Sequence, residues 1–146
     1  MALGCDLLID NKGGYLPFHS EKKVNVILRR NAESFNSIKT FNNGHFTGSS
    51  DLGDISMLKP CGMISMGGIA GNPHTKEFSY SNIDEAYILP GKIFACTVID
   101  LLKENANEAN EIIKSFDSKL NKEKYLKLTE KFNSQEKHEY YDKIYK

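Results

Sequence analysis

The segment Pro90-Gly-Lys-Ile-Phe-Ala-Cys-Thr-Val-Ile-Asp-Leu-Leu102 lies in the most apolar run of the chain. Proline suits the first turn of a helix, so this segment predicts a helix that begins near Pro90. Apolar residues occupy most of its circumference, namely Ile93, Phe94, Val98, Ile99, Leu101 and Leu102. We therefore expect this helix to be buried on two of its sides.

An amphipathic helix is predicted upstream. Ser20 is a suitable N-cap, and apolar residues follow it at near-helical spacing with charged residues on the remaining face. The apolar positions are Val24, Ile27, Leu28 and Phe35. A shorter helix is predicted around Ile55 to Leu58, ending before Pro60.

Two strands are predicted from short apolar segments, a buried one over Cys5 to Ile9 and another over Gly62 to Met66. Helices and strands mix, so the fold class is α/β. The strands are too few for a typical sheet, and we expect an incomplete core. Ala2-Leu3-Gly4 is typical of the last turn of a helix whose beginning is missing, so we expect the parent fold to extend upstream of Met1.

Charge and composition exclude several classes of function. Nineteen basic residues balance nineteen acidic ones, so we expect binding neither to nucleic acid nor to a membrane. The three cysteines form no C-x-x-C pair and are expected to be reduced. The first residues lack the features of a signal peptide, which predicts a cytoplasmic location. Beyond Asn105 the chain becomes strongly charged, and a helical tail is expected there.

His74 is the candidate metal ligand. It follows the glycine-rich loop Gly67-Gly-Ile-Ala-Gly-Asn-Pro-His74, after a predicted strand, where active-site residues often collect. The three glycines allow tight turns close to a ligand or another strand. From its position alone, a histidine that caps a turn or faces solvent is the favoured interpretation.

A second candidate is the segment Gly48-Ser-Ser-Asp51. It places hydroxyls and backbone N–H groups where a short helix begins, a geometry that suits a substrate carboxylate. Simple N-capping by Ser50 or Asp51 is the alternative. His45 could donate a hydrogen bond to a substrate oxygen, or be solvated in its Asn-Gly turn. No H-x-x-E-H, H-E-x-x-H, P-loop, G-x-S-x-G or G-x-G-x-x-G motif is present.

Four motifs together resemble the C-terminal third of the dinuclear-metal amidohydrolases, peptidase family M-twenty. They are Gly44-His-Phe-Thr-Gly-Ser-Ser-Asp-Leu-Gly-Asp54, His74-Thr-Lys-Glu-Phe78, Ala86-Tyr-Ile-Leu-Pro-Gly-Lys92 and Thr97-Val-Ile-Asp-Leu-Leu102. The family includes aminoacylases, carboxypeptidase-G-type enzymes and aminobenzoyl-glutamate hydrolases, and the chain is most similar to the last group. The resemblance covers roughly Ala2 to Leu102.

The resemblance implies a domain organisation. Residues 1–17 would be the last strand of a lid domain, which mediates dimerisation, and the return crossing from it. Residues 18–106 would form the C-terminal part of the catalytic α/β domain, and residues 107–146 a charged helical tail. The complete enzyme would be a homodimer that hydrolyses amide bonds of N-acyl amino acids, aminobenzoyl-glutamate-like compounds or small peptides.

The resemblance also assigns site residues. His74 would hold one of two divalent metal ions, zinc by preference or manganese or cobalt, while Gly48, Ser49 and Asp51 would lie beside the substrate. The family's H-x-D motif, bridging aspartate and Glu-Glu pair would lie upstream, and this chain has neither H-x-D nor Glu-Glu. A site with one protein ligand binds metal weakly. We therefore expect no catalytic residue in this chain, no stably bound metal and no activity without an N-terminal partner.

Three hypotheses stay open at this point. In the first, the chain acts only with a separately encoded N-terminal part of the hydrolase, and without such a part it is an inert remnant of a truncated gene. It could instead be a non-catalytic interaction module that docks on another subunit. A small independent enzyme using His45 and Asp51 as acid and base is the third, although the sequence offers no nucleophile or orienting partner.

Overall fold

The computed structural model describes residues 5–35 and 48–139. They form helices and two small antiparallel sheets, so the mixed helix and strand composition is confirmed. The strands are β1 (Leu7–Asn11), β2 (Ile69–Ala70), β3 (Ser79–Tyr80) and β4 (Ser134–His138). The helices are α1 (Lys22–Glu33), α2 (Asp51–Ser56), α3 (Leu89–Ser115) and α4 (Lys122–Phe132), and a π-helical turn, Asp84–Ile88, leads into α3.

The core lies between α1 and α3. Ile93 of α3 is fully buried and packs with Leu28 and Ala32 of α1. Partly buried apolar residues surround this contact, namely Val24, Phe35, Ile64, Met66 and Leu89. The apolar positions predicted for α1 therefore do face its partner helix.

The start of α1 differs from the prediction by one residue. Glu21, not Ser20, is the N-cap, and its carboxylate accepts a hydrogen bond from the backbone N–H of Lys23 at 3.1 Å. The backbone N–H of Glu21 donates to the carbonyl of Cys61 at 2.8 Å. A carboxylate that accepts an otherwise unsatisfied helical N–H can replace a serine at this position.

The strand predicted over Gly62 to Met66 is wrong. This segment has no regular structure, and the backbone N–H of Met63 donates to the side-chain oxygen of Asn25 at 3.3 Å. Ile64 and Met66 pack against the core. Its apolar residues therefore pack against helices, and the backbone N–H of Met63 has a side-chain partner instead of a neighbouring strand.

Strand β1 forms where a strand was predicted, shifted by two residues, but it is not buried. It pairs antiparallel with β4, with Leu7 opposite His138, and Leu8 is 60% exposed. The tail for which helices were predicted contains the end of α3 and α4, and it also contains β4. This pairing joins the described part of residues 1–17 to that of residues 107–146.

Helix α3 has Pro90 in its first turn, as predicted. Burial on two sides is wrong: Ile93 and Thr97 are buried on one face, whereas Phe94 and Val98 are about half exposed. The backbone leaves helical geometry over residues 103–106, where three residues have positive φ. Within residues 5–35 and 48–139, no helix has the length and apolar character needed to cross a bilayer.

Candidate functional site

His74 lies at the tip of the β2–β3 hairpin. The backbone N–H of Thr75 donates to the carbonyl of Asn72 at 3.3 Å, which closes a four-residue turn. Pro73 occupies the second position of this turn, and His74 occupies the third with φ of 65°. Proline followed by a residue with positive φ is the pattern of a type II turn.

The backbone of His74 is unfavourable for a residue with a side chain. Left-handed geometry costs about 1 kcal/mol or more for most L-residues, and turns of this type usually place glycine or asparagine there. The imidazole is exposed and makes no hydrogen bond or ion pair to any residue that the structure describes. A strained backbone with an exposed and available side chain supports a functional hypothesis, while histidine's tolerance of positive φ supports a simple turn.

Two glycines make the hairpin compact. Gly68 and Gly71 have φ of 80° and 79°. A Cβ atom at Gly71 would lie 2.3 Å from the carbonyl oxygen of Glu77, and one at Gly68 would lie 2.4 Å from that of Asn82. The prediction that these glycines permit tight turns close to another strand is confirmed.

The Gly48–Asp51 segment leads into α2. Gly48, Ser49 and Asp51 are exposed. Ser50 has the extended backbone of an N-cap residue, but its side chain makes no capping hydrogen bond. The Ser50 hydroxyl therefore does not cap α2. With six residues, α2 offers a small N-terminal partial charge to an anion.

Helix α2 is positioned by the chain that precedes α1. The carboxylate of Asp54 accepts a hydrogen bond from the backbone N–H of Leu16 at 2.9 Å, and the buried hydroxyl of Ser56 accepts one from the backbone N–H of His19 at 2.9 Å. A Cβ atom at Gly53 would lie 1.9 Å from the carbonyl oxygen of Leu16. The close approach therefore requires glycine at this position.

The two candidate segments are not joined. No hydrogen bond or ion pair links the His74 turn to Gly48–Asp51 among the residues described, and His45 lies outside them. Over residues 5–35 and 48–139, no group of three His, Cys, Asp or Glu side chains could hold a metal ion. The imidazole of His74 could form one bond to a metal ion, but the other described side chains do not supply the remaining ligands that the ion needs.

An ion-pair cluster that sequence reasoning missed joins α1 to α3. Asp100 accepts hydrogen bonds from Arg30 at 2.8 Å, from Asn31 at 3.0 Å and from Lys103 at 3.0 Å. Hydrogen bonds from Lys103, Arg30 and Asn31 hold the pKa of Asp100 well below its usual range, and the bond from Lys103 has the largest effect. Arg30 also lies 3.6 Å from Glu108. The cluster therefore stays ionised and clamps the helices. The only sign of this cluster in the sequence is an acidic residue, Asp100, within the apolar run.

A pair of tyrosines lies beside the hairpin. The rings of Tyr80 and Tyr87 have centroids 4.9 Å apart and are tilted by 51°, and their hydroxyls are hydrogen-bonded. This hydrogen bond raises the pKa of Tyr87, so the Tyr87 hydroxyl is neutral at physiological pH. The pair connects β3 to the π-helical turn and helps to orient the hairpin that carries His74.

A groove of about 620 Å³ lies between the end of α2 and the start of α4. Its walls are Leu58, Lys59, Ser118, Leu120, Asn121, Lys122, Tyr125 and Leu126. None of the predicted site residues lines this groove. It is therefore separate from the candidate metal and substrate positions.

Comparison of the chain with protein-family models, with curated proteins and with solved structures found no match.

Proposed function

We propose that this chain is the C-terminal part of a metal-dependent amidohydrolase of the peptidase M-twenty type. The complete enzyme hydrolyses amide bonds of N-acyl amino acids, aminobenzoyl-glutamate-like compounds or small peptides. It contains two divalent metal ions and is a homodimer in the cytoplasm. This chain supplies one ligand, His74, and is inactive without an N-terminal part that carries the others.

The main support for the proposal is the conformation and exposure of His74. Its imidazole is held at the tip of a hairpin by Pro73 and by positive-φ glycines, it is exposed, and it has no hydrogen-bond partner among the described residues. A metal ligand needs an available ring nitrogen in a fixed direction. The turn fixes the backbone position from which the imidazole projects, at a cost in backbone strain that glycine would avoid.

The second contribution is to substrate binding. Gly48, Ser49 and Asp51 present exposed polar groups immediately before or within the first turn of α2, which hydrogen bonds to the Leu16 segment hold in place. In this proposal backbone N–H groups and the hydroxyl of Ser49 bind the substrate carboxylate. Asp51 accepts hydrogen bonds from neighbouring donors, and His45 donates one to a substrate oxygen.

Complementation tests the proposal. The chain is mixed with the N-terminal portion of an aminobenzoyl-glutamate hydrolase that retains H-x-D and Glu-Glu but lacks its own C-terminal third. Release of aminobenzoate is measured with zinc, manganese or cobalt and after chelation. We expect metal-dependent hydrolysis by the mixture and none by either part alone.

Two histidine variants make the test specific. His74→Ala should abolish hydrolysis by the mixture, since it removes a metal ligand. His138→Ala is the matched control, because His138 is an exposed histidine on β4 at the surface, and it should leave the rate unchanged. Equal activity of the two variants, or no activity with any N-terminal portion, would contradict the proposal.

A non-catalytic interaction module or an inert remnant is the second candidate. The exposed apolar face of α3 favours the interaction module, because such a face is suited to docking. A monodisperse protein that takes up no metal with any N-terminal portion, and whose partner binding is unaffected by His74→Ala, would support this candidate over the hydrolase.

A further inference from the structure

The break in α3 is a strained turn that contains no glycine. Glu104, Asn105 and Ala106 have φ between 51° and 59°, which is left-handed geometry. L-residues other than glycine and asparagine rarely adopt it, and then as single residues. Glutamate and alanine favour the right-handed helix, and residues 92–115 include neither glycine nor proline. The local sequence therefore favours a continuous helix where the structure has a turn.

Contacts with α1 hold the turn against this preference. The guanidinium of Arg30 lies 2.8 Å from Asp100 and 3.6 Å from Glu108, although eight residues of straight helix would separate the two acids by about 12 Å. Seven residues further along α3, Ser115 accepts a hydrogen bond from Lys23 at 2.7 Å. Lys23 precedes Arg30 by seven residues, so the second half of α3 runs antiparallel to α1.

The segment that follows the turn, residues 107–139, also contacts the rest of the chain beyond α1. Its strand β4 pairs with β1. The backbone N–H of Leu120 donates to the carbonyl of Met57, and the backbone N–H of Gly13 donates to the side chain of Asn133, each at 3.1 Å. All of these contacts join residues before the turn to residues after it. A second copy of the chain can therefore supply either side of each contact.

We propose that the chain exchanges residues 107–139 with a second copy of itself. In the exchanged dimer residues 103–106 are helical, α3 is one helix from Leu89 to Ser115, and β4 of each chain pairs with β1 of its partner. The contacts of the exchanged segment are made again between chains, while the left-handed turn is lost from both. Exchange of an identical element is a low-cost route to a dimer, and a strained hinge favours it.

This inference does not depend on the proposed hydrolase. It concerns the turn and residues 107–139, which include neither His74 nor the Gly48–Asp51 segment. Segment exchange and amide hydrolysis can therefore be tested separately.

Substitutions in the turn test the role of its strain. The chain is refolded from urea at millimolar concentration, and sedimentation measures the dimer at twice the 16.5 kDa mass of the chain. Ala106→Gly should raise the dissociation constant of the dimer roughly a hundredfold, because in both chains glycine relieves the turn and disfavours the helix that replaces it. Asn105→Ala should lower the constant roughly tenfold, because alanine favours the helix and tolerates the turn less well.

Ala109→Gly is the matched control. Residue 109 lies in the helical part of α3 after the break, and it stays helical in the exchanged dimer. Glycine there destabilises both forms equally, so the dissociation constant should not change. Equal constants for Ala106→Gly and Ala109→Gly would overturn the proposal, as would a wild-type chain that refolds only to monomer at millimolar concentration.

A cysteine pair across β1 and β4 distinguishes exchange from simple association. Asn11 and Ser134 are paired in the two strands, and their side chains are 3.2 Å apart. Asn11→Cys with Ser134→Cys is made in a chain whose three native cysteines are replaced by alanine. Oxidation of the isolated dimer should give a disulfide between chains, seen as a band of double mass on a non-reducing denaturing gel. Oxidation of the monomer should close the disulfide within one chain.

The control pair lies in the β2–β3 hairpin, which is not exchanged. Ala70 and Ser79 are paired there, so Ala70→Cys with Ser79→Cys should close within one chain in the monomer and in the dimer. A dimer in which the Asn11→Cys and Ser134→Cys thiols also join within one chain would overturn the exchange, because its two copies would then associate without sharing residues 107–139.

Discussion

Shortening Ile93 to alanine should weaken the core that α1 and α3 share. Ile93 has no exposed surface and contacts Leu28 and Ala32. The substitution deletes three carbons, worth about 2.4 kcal/mol of transfer free energy, and the remaining cavity raises the loss to about 3 kcal/mol. Because few residues are buried, this is a large part of the total free energy of unfolding.

Urea unfolding followed by far-ultraviolet circular dichroism measures this loss. With a slope of about 2 kcal/mol per molar urea, the midpoint of Ile93→Ala should fall by about 1.5 M. Ile113→Ala is the control, because Ile113 is an exposed isoleucine of the same helix, 63% exposed, and its loss should stay within about 0.5 kcal/mol. Equal midpoints for the two variants would refute the assignment of the core.

Three further substitutions test local features. Asp100→Asn should lower the melting temperature at neutral pH. The folded-state pKa of Asp100 is lowered from 3.8, so the ionised carboxylate stabilises the fold above pH 3.8 and this stabilisation is lost as the pH falls below 3.8. The difference in melting temperature between Asp100→Asn and the wild type should therefore shrink in acid. A difference that does not change with pH would contradict the ion-pair origin. Ala106→Gly should raise the free energy of unfolding by about 0.5 to 1 kcal/mol, because Ala106 has a φ of 59°. Ala109→Gly replaces an alanine at a helical position and should lower the free energy of unfolding by about 1 kcal/mol. Urea unfolding measures the two opposite changes. Gly53→Ala places a methyl group 1.9 Å from a backbone oxygen and should lower the urea midpoint, while Gly14→Ala meets nothing within 4 Å and should not, so equal effects would contradict the close approach of α2.

The helices were predictable because their apolar spacing matches the surface that they bury. Ile27 and Leu28 lie on the expected face of α1, and Pro90 lies in the first turn of α3. Local signals of this kind depend on neighbouring residues alone. The spacing of residues within α3 does not indicate what covers its exposed apolar side chains, such as Phe94 and Val98. That depends on residues distant in sequence or on another chain.

The strands were predicted less well for a physical reason. β4 is polar and exposed along its whole length, so it has neither the alternation nor the apolar content that usually indicates a strand. Its pairing with β1 is set by distant backbone contacts. Conversely, the apolar residues of 62–66 pack against helices without forming a ladder, and apolar content alone could not separate these outcomes.

The candidate site was predictable only in its individual residues. The glycines around His74 indicated a tight loop, and positive φ at Gly68 and Gly71 agrees with it. The strain at His74 itself was not predictable, because it depends on how Pro73 and the hairpin fix the turn. The Asp100 cluster was missed since its partners Arg30 and Asn31 come from another helix.

The metal content of a reconstituted complex tests the assignment of His74 most directly. The chain is purified together with an N-terminal hydrolase portion, and bound zinc is counted by inductively coupled plasma mass spectrometry. His74→Gly should keep the turn, since glycine favours positive φ, while it removes the imidazole. We expect two ions per wild-type complex and fewer than two with His74→Gly; the same metal content in both complexes would contradict the assignment.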